Sequence, residues 1–506
     1  MKGLSLDTLT GWHRVAASVA IGGAIGLGQA PFSLFWAAVP ALILSILQFA
    51  ASLNPRDAFR IGMAIGAGYV LVAMNWIVEP FFVDIVRHGL LAPFALGSMA
   101  VGFGLFWGAG FWLARWLAIG SLGNWALVLA WTATEVARSY VFTGFPWGLI
   151  SFIWINTPIY QFAAYLGPHG LTMATLVLCV LAVSAWQAKR RVALVVGLIA
   201  VVVALSTVGW WIQSTPVPSD GGKRAIVRLI QPNANQRQKW DPEMMPVFYR
   251  RQINLTEEPS DVAPDLVVWP EVAVPFLLND ETAPFWEIAG AAGDATVILG
   301  AQRLVGSAAY NSVGVLDRDG SVTAVYDKHH LVPLGEYLPF AETMNELGLQ
   351  ALTAQYGYAF SPGTGPATLD LGPLGHALPL ICYEGVFPHE MRRAPGRADW
   401  LLLVTNDAWF GQLSGPYQHL ALAQARSIEF GLPMVRAANT GVSAVIDARG
   451  QITGQIPMGV AGRIDLALPP PLPPTVYVKL GDWPVLVLLA LGVAVLSARK
   501  YRLTMF

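Results

Sequence analysis

The sequence predicts a membrane α-helical bundle joined to an α/β domain, and two observations carry that prediction. The chain of 506 residues is 55% hydrophobic and only 12% charged, whereas about 25% of residues in soluble proteins are charged. Long apolar runs fill the first 213 residues and return near the end, while residues 222–470 alternate short apolar runs with polar segments. We therefore expect a transmembrane bundle over 1–213, an α/β domain over 222–470 and a last span with its tail over 482–506.

Apolar runs long enough to cross a bilayer recur seven times before the α/β domain. A hydrocarbon core about 30 Å thick needs roughly 20 residues of helix. An eighth run, 483–498, follows the domain, so we expect about eight spans. The seven earlier candidates cover 14–31, 33–53, 60–80, 90–115, 123–141, 158–186 and 192–212.

Lysine and arginine collect on one side of these predicted spans. Cytoplasmic loops of membrane proteins carry an excess of both residues. With the N-terminus in the cytoplasm, the loops after the second, fourth and sixth spans also lie in the cytoplasm. Residues 213–480 then lie on the outer face. The outer loops are poor in basic residues, and Arg87 is the one clear exception. The cytoplasmic group is then Lys2, Arg14, Arg56, Arg60, Arg115, Lys189, Arg190, Arg191, Arg499, Lys500 and Arg502. We therefore expect a multi-pass protein with both termini in the cytoplasm.

The α/β domain contains short apolar runs that read as strands covered on both faces, because Leu401–Thr405 and its neighbours lack polar alternation. Two pairs of strands flank Asp-Arg-Asp-Gly and Asp-Ala-Arg-Gly turns, which are hairpin signals. A helix is expected near 418–430. The predicted strands are 225–231, 265–269, 296–300, 312–316, 322–326, 377–382, 401–405, 435–438, 444–447 and 452–456.

Three of these strands end in residues that can carry chemistry. Glu271 follows the run 265–269 and Pro270, Lys328 follows 322–326, and Cys382 ends 377–382. A thiolate is a nucleophile, a carboxylate can take its proton, and an ammonium can stabilise an oxyanion. Taken singly, these residues also read as a surface glutamate, a solvated loop and an inert buried thiol; together they predict a nucleophilic enzyme.

Other sequence features exclude several classes of function. The net charge is −1 and no basic block resembles a nucleic-acid footprint. Cys179 lies in an apolar run and is expected to be a buried hydrophobe, so no disulfide with Cys382 is predicted. His329 and His330 are adjacent, so their side chains should point apart, and no metal site or cofactor is predicted. We expect them to be hydrogen-bonding residues.

Four motifs of the α/β domain resemble the nitrilase superfamily. They are Trp-Pro-Glu at 269–271, Lys-His-His-Leu-Val-Pro at 328–333, Gly-Glu-Tyr at 335–337 and Ile-Cys-Tyr-Glu at 381–384. With the predicted spans, and with the runs 406–411 and 436–441, the chain is similar to the apolipoprotein N-acyltransferases of bacterial inner membranes. The resemblance implies a nitrilase-like αββα sandwich on the periplasmic side of the bundle.

The resemblance also implies roles for individual residues. Glu271 is the general base, Cys382 the nucleophile and Lys328 the oxyanion stabiliser. The supporting positions are Glu336, Tyr383 and Glu384, and the residue near the substrate entrance is Trp240.

The implied reaction is ping-pong and needs neither metal nor cofactor. An acyl chain passes from a phospholipid, typically phosphatidylethanolamine, through a Cys382 thioester to the α-amino group of a diacylglyceryl-cysteine apolipoprotein. The partners are these two lipid substrates and the membrane, and we expect a monomer.

Two further segments are candidates for the lipid entrance. Trp147 lies in an outer loop, 143–148, and is read either as an entrance residue or as an aromatic anchor at the membrane interface. The uncharged segment 347–360 is read either as core or as a moving lid that contacts lipid through Leu349 and Leu352.

Two rival functions remain open. A membrane-anchored amidase would use the same three residues and pass its acyl group to water. A transporter would need ionisable residues within the spans, where Glu135 and Arg138 are the main examples and have the spacing to pair with each other.

The lid hypothesis predicts the behaviour of a double variant. Replacing Leu349 and Leu352 with Asp should slow turnover of lipid substrates more than it lowers the melting temperature, because charge opposes contact with acyl chains. Normal turnover by the folded double variant would contradict the hypothesis.

Overall fold

The computed structural model describes residues 11–117, 122–217, 224–339 and 359–504. The chain divides into two compact units. The helical unit contains the residues up to Thr215 and those from Thr475 onward, and the sandwich unit contains Pro216–Pro474.

An α-helix lies in each of the eight apolar runs of the helical unit. Four described helices are long and apolar enough to cross a membrane, or five if the bent pair Pro55–Ala73 and Asn75–Phe82 is one span. The first two helices have 16 residues each, fewer than the roughly 20 that a bilayer core requires. The helices are α1 (Gly11–Gly26), α2 (Phe35–Ala50), α3 (Pro55–Ala73), α4 (Ala92–Leu117), α5 (Gly123–Tyr140), α6 (Ala163–Gln187) and α7 (Arg191–Ser214), with Trp483–Thr504 near the end. The chain is therefore a multi-pass membrane protein.

Glycines allow α1 and α3 to pack with their backbones in contact. A Cβ added to Gly68 of α3 would lie 2.0 Å from the carbonyl oxygen of Val19. A Cβ on Gly22 of α1 would lie 1.9 Å from the carbonyl oxygen of Ile65. Helices in membranes associate through such small-residue contacts because lipid supplies no hydrophobic drive between them.

A buried ion pair lies inside the helical unit, as the spacing of its residues predicts. Arg138 Nη2 is 3.0 Å from Glu135 Oε2, and both side chains are almost fully buried. Trp107 donates its indole N–H to Glu135 Oε1 at 2.8 Å. Arg138 also donates to the carbonyl oxygens of Phe145 and Trp147, so the pair fixes the 143–148 loop.

The sandwich unit contains two six-stranded sheets. The first has the strand order β12-β1-β2-β3-β4-β5 and the second the order β11-β10-β9-β8-β7-β6. The central pairs β1–β2, β2–β3, β7–β8 and β8–β9 are parallel. The strands are β1 (Ile226–Gln231), β2 (Leu266–Val268), β3 (Thr296–Val305), β4 (Ala308–Leu316), β5 (Val322–Asp327), β6 (Leu369–Asp370), β7 (His376–Ile381), β8 (Trp400–Thr405), β9 (Met434–Ala438), β10 (Ser443–Ile446), β11 (Ile452–Ile456) and β12 (Gly462–Ala467).

Both faces of the first sheet are covered, which explains its uninterrupted apolar runs. Leu229 and Val268 face the second sheet and pack in one core with Leu402 and Val404. Val267 and Val297 face the opposite way, into a core with residues of two helices. The helices of this unit are α8 (Met245–Glu257), α9 (Phe285–Ala292) and α10 (Gly415–Phe430). The last helix of the helical unit, Trp483–Thr504, is named α11.

Shorter helical segments complete the described chain. Ile85–His88, Pro388–Met391 and Val476–Leu480 are short α-helices, and the 3₁₀ segments are Asn75–Phe82, Gly89–Leu91, Ile150–Trp154, Pro158–Phe162, Gly372–Leu374, Cys382–Val386 and Asp407–Phe410.

Each strand expected from the sequence is present, with its ends shifted by a few residues, and both hairpins are confirmed. The sequence reading missed β6, β12, α8 and α9. It also ended β3 early: β3 continues to Val305 and pairs with β4 around the Gly306 turn, where φ is 59°. The strand β12 escaped notice because Arg463 and Asp465 interrupt its apolar residues on a half-exposed edge.

The contact between α1 and α3 predicts an asymmetry between two glycines. Gly68→Ala should lower the melting temperature in detergent, because overpacking a tight contact costs about 1–3 kcal/mol. Gly102→Ala in α4 is the matched control, since a Cβ there meets nothing within 4 Å. Equal melting temperatures for the two variants would show that the contact is not tight.

Candidate active site

The ends of β2, β5 and β7 bring three of the sequence-predicted residues together. Glu271 and Lys328 come from the first sheet and Cys382 from the second, and their exposed fractions are 6%, 1% and 5%. Lys328 Nζ is 4.0 Å from Glu271 Oε1. Burial raises the pKa of the Cys382 thiol, Glu271 raises it further and Lys328 lowers it, so the three side chains share one electrostatic environment.

Glu271 is held by hydrogen bonds to both carboxylate oxygens. Asn311 Nδ2 donates to Oε1 at 2.7 Å, and the backbone N–H of Asn406 donates to Oε2 at 2.7 Å. Gly300 makes room for this segment, since a Cβ there would lie 2.6 Å from the Cα of Glu271. The carboxylate is therefore fixed in direction from both sheets, because Asn311 lies on β4 and Asn406 follows β8.

Lys328 has a second and closer carboxylate partner. Its Nζ donates to Glu336 Oε1 at 2.8 Å, and both side chains are buried. Glu336 Oε2 accepts the backbone N–H of Val332 at 2.8 Å. Glu336 thus closes its own loop onto Lys328 and places that ammonium between two carboxylates.

Cys382 lies in a strained backbone conformation at the end of β7. Its φ is 51°, a left-handed value that costs a residue other than glycine free energy. Glu384 stabilises the turn: its Oε2 accepts from the backbone of Ile381 at 2.8 Å, and its Oε1 accepts from His329 N at 2.7 Å and Tyr326 Oη at 2.9 Å. Glu384 therefore ties the cysteine turn to the lysine segment.

The two adjacent histidines share one partner, which corrects the expectation that they point apart. His329 Nε2 is 3.2 Å and His330 Nδ1 is 2.9 Å from the Glu390 carboxylate. Burial lowers the pKa of His329, but its contacts with Glu384 and Glu390 raise it to about 9. Their expected role as hydrogen-bonding residues is confirmed, and among the described residues no group of three or more His, Cys, Asp and Glu could hold a metal ion.

Tyr383 belongs to the same segment. It is 6% exposed and packs against the rings of His330 and Phe387.

A buried charged cluster lies behind Cys382, and sequence reasoning gave it no role. Arg436 Nη2 and His419 Nδ1 contact the two oxygens of Asp407, the histidine at 2.9 Å. His419 Nε2 is 3.2 Å from the carbonyl oxygen of Cys382. The cluster holds the backbone of the cysteine from the second sheet. The sequence pointed to this cluster only in that Asp407 and Arg436 lie in the runs 406–411 and 436–441, which resemble the family.

Burial and the neighbouring charges act on the pKa values of all three side chains. Burial raises the pKa of Cys382 well above its ordinary value, and Glu271 raises it further. Burial also raises the pKa of Glu271, an effect that Lys328 opposes and Glu336 supports. Burial works against the charge of Lys328, yet Glu336 and Glu271 raise its pKa above the ordinary value. Burial thus favours the neutral form of the Cys382 thiol, and the two carboxylates favour the charged form of Lys328.

A cavity that is open to solvent reaches the carboxylates of Glu271 and Glu336. Trp240 lines it, and so does Lys239, which the sequence reading did not single out. The remaining lining residues are Gln236, Glu271, Val272, Gln302, Asn311, Glu336, Phe360, Asn406 and Trp409.

The other predicted entrance residues do not line this cavity. Trp147 is buried in the helical unit, 1% exposed, with its ring centroid 4.6 Å from that of Trp76. An exposed anchor at the membrane interface is therefore the wrong reading of Trp147. Leu349 and Leu352 lie outside the described residues.

Solved structures similar to this chain match about half of it. A CN-hydrolase superfamily protein from Xanthomonas campestris, XC1258, is 20% identical with a TM-score of 0.36, covering 49% of this chain and 91% of its own. An amidase of the nitrilase superfamily from Nesterenkonia AN1 is 19% identical with a TM-score of 0.37, covering 50% of this chain and 93% of its own.

Sequence relatives match almost the whole chain. The Carbon-nitrogen hydrolase family matches residues 227–467, and the Apolipoprotein N-acyltransferase N-terminal domain matches residues 21–181. The apolipoprotein N-acyltransferase of Rhodopseudomonas palustris is 35% identical over 97% of this chain and 96% of its own. That of Caulobacter vibrioides is 36% identical over 96% and 95%. The resemblance expected from the motifs is confirmed: the chain belongs to the apolipoprotein N-acyltransferase family.

Proposed function

We propose that this enzyme moves an acyl chain from a membrane phospholipid to the N-terminal amine of a diacylglyceryl-cysteine apolipoprotein. Membership of the family and the names of its relatives support this reaction. The observation that carries the proposal is the buried meeting of Cys382, Glu271 and Lys328 at three strand ends. That set provides a nucleophile, a base and a fixed positive charge, and needs no cofactor.

In the first half-reaction, Glu271 takes the proton of the Cys382 thiol as the sulfur attacks the ester carbonyl of the phospholipid. The carbonyl oxygen becomes an oxyanion, and the ammonium of Lys328 stabilises it. The carbon–oxygen bond then breaks, and the departing glycerol oxygen receives the proton that Glu271 holds. The product is a thioester on Cys382 and a lysophospholipid.

In the second half-reaction, the free α-amine of the apolipoprotein attacks the thioester. Glu271 takes a proton from the attacking nitrogen, and Lys328 again stabilises the oxyanion. The carbon–sulfur bond breaks, the thiolate regains a proton from Glu271, and an amide remains on the acceptor. The high pKa of the Cys382 thiol supports this return to the neutral thiol.

Glu336 acts in this scheme through Lys328. The carboxylate at 2.8 Å keeps the ammonium charged and directs it toward the reacting carbonyl. Glu384 and Tyr383 act through the cysteine turn, since Glu384 bonds the backbone on both sides of the site and Tyr383 packs beside it.

A membrane location fits both substrates. Extracting an acyl chain from a bilayer costs about 0.8 kcal/mol for each CH₂ group, so an enzyme anchored in the membrane avoids that cost. We infer eight spans with residues 213–480 on the periplasmic side of the inner membrane and both termini in the cytoplasm. The presence of an α-helix in each apolar run supports the number of spans, and the lysine and arginine pattern supports the orientation.

The donor we favour is phosphatidylethanolamine, and the enzyme acts as a monomer in this proposal. Trp240 lines the cavity at Glu271 and is our entrance residue. Trp147 is buried, so in this proposal it acts on the entrance indirectly, through the 143–148 loop that Arg138 fixes. The segment 347–360 is our candidate lid.

The rival functions fit the described residues less well. An amidase that passes its acyl group to water gains nothing from several apolar spans. A transporter needs ionisable groups along a pathway, whereas Glu135 and Arg138 neutralise each other. Adding a diacylglyceryl-cysteinyl peptide and looking for its acylated product separates the amidase from the transferase.

The proposed thioester predicts a mass adduct. Protein incubated with phosphatidylethanolamine and no acceptor should gain the mass of one acyl group on Cys382, removable by hydroxylamine. Cys382→Ser should lose the adduct and lower transfer by roughly a thousandfold or more, since the oxygen nucleophile is poorly activated. Cys179→Ala is the matched control and should keep both. Wild-type protein that transfers acyl groups without any labile adduct would contradict the proposal.

The carboxylate pair predicts a pH dependence. Transfer requires ionised Glu271, so kcat/KM should rise with pH through a value above the ordinary carboxylate pKa, because burial and Glu336 raise it. Glu336→Gln removes a like charge and should move this acidic limb to lower pH while lowering kcat. A pH profile of acyl transfer measures both. An unchanged or higher acidic limb in the variant would show that Glu336 does not act on Glu271.

A further inference from the structure

The cavity at the catalytic carboxylates contains a second lysine that the mechanism does not use. Lys239 lines it together with Glu271, Glu336, Trp240 and Trp409. The side chain is half-buried, and its Nζ lies 5.8 Å from the centroid of the Trp240 ring. A lysine in such a place requires either a partner or water, because a buried charge without one is costly.

Lys239 makes no ion pair with any carboxylate of the described residues. Its Nζ donates one long hydrogen bond, 3.3 Å, to the backbone carbonyl oxygen of Glu271. The carboxylate of Glu271 is already satisfied by Asn311, the Asn406 backbone and Lys328. An ammonium has three N–H donors, and within the described part of the chain one of them is bonded.

Burial also disfavours the charged form of Lys239. Burial lowers its pKa to about 8, and the neighbouring Glu271 limits that fall. An anion bound at Nζ would favour the charged form and raise the pKa. A negatively charged ligand in the cavity would therefore stabilise the charged form of Lys239. Lys328 has less need of such a ligand, because it already has two carboxylates beside it.

We propose that Lys239 is a specificity residue that binds the phosphodiester of the phospholipid donor. This inference rests on the proposed function. A phospholipid brings its phosphate to the site only a few bonds from the ester that Cys382 attacks. The aromatic walls formed by Trp240, Trp409 and Phe360 are suited to the apolar part of the same molecule. Pairing the phosphate with Lys239 places the ester carbonyl while Lys328 stays free for the oxyanion.

The test compares two palmitoyl donors in the same detergent micelles, with a diacylglyceryl-cysteinyl peptide as acceptor. One donor is dipalmitoyl phosphatidylethanolamine, and the other is p-nitrophenyl palmitate, which has no phosphate. Lys239→Gln should lower kcat/KM for the phospholipid by roughly 10- to 100-fold, the size of one charge-assisted hydrogen bond. The rate with the nitrophenyl ester should fall by much less. Lys239→Arg, which keeps the charge, should restore part of the phospholipid rate.

Matched controls separate this role from a structural one. Arg318→Gln removes a charge from an exposed hairpin turn and should leave the ratio of the two rates unchanged. Equal losses for both donors in Lys239→Gln would overturn the proposal, since they would mean that Lys239 only supports the Glu271 segment. Unchanged rates for both donors would overturn it as well. Wild-type protein that uses the ester but not the phospholipid would instead defeat the proposed function itself.

Discussion

The end of the sandwich unit that holds Glu271, Lys328 and Cys382 depends on one constraint: charges that leave water must be paired. Glu271, Lys328 and Glu336 are all more than 90% buried, and an unpaired charge there would cost several kcal/mol. Each carboxylate therefore has hydrogen bonds from outside the group, from Asn311 and the Asn406 backbone for Glu271 and from Val332 for Glu336. The ammonium between them is fixed in position, and the thiol of Cys382 is buried in the same environment.

The two-sheet architecture makes that arrangement possible. The first sheet supplies Glu271 and Lys328 and the second supplies Cys382, so these three side chains meet only when the sheets pack face to face. Hydrogen bonds between the two sheets also hold these residues in place. Glu384, which follows a strand of the second sheet, accepts a hydrogen bond from the backbone N–H of His329, which follows a strand of the first. The backbone N–H of Asn406, which also follows a strand of the second sheet, donates to the Glu271 carboxylate. The strained φ of Cys382 persists because such contacts fix both sides of the turn.

Buried polar groups in the helical unit follow the same rule. Glu135 and Arg138 would be costly in a bilayer singly, and they occur as a pair that also satisfies the carbonyl oxygens of the 143–148 loop. His169 is likewise bonded to Asp482 and Ser139 within this unit. Intramembrane polar residues here hold loops and helices in place, which agrees with an enzyme frame better than with an ion pathway.

The sequence by itself determined the division into a helical and an α/β part, the positions of most strands and the family. Hydrophobic runs and strand-end residues such as Glu271, Lys328 and Cys382 are local features, so they can be recognised in a single sequence. Only the tertiary structure decided which charges meet. Asp407, His419 and Arg436 join behind Cys382 across long stretches of chain, His329 and His330 converge on Glu390, and Lys239 enters the cavity of Glu271. Periodicity cannot predict these contacts, because the free energy of a buried charge depends on partners that are distant in sequence and near only after the sheets have packed.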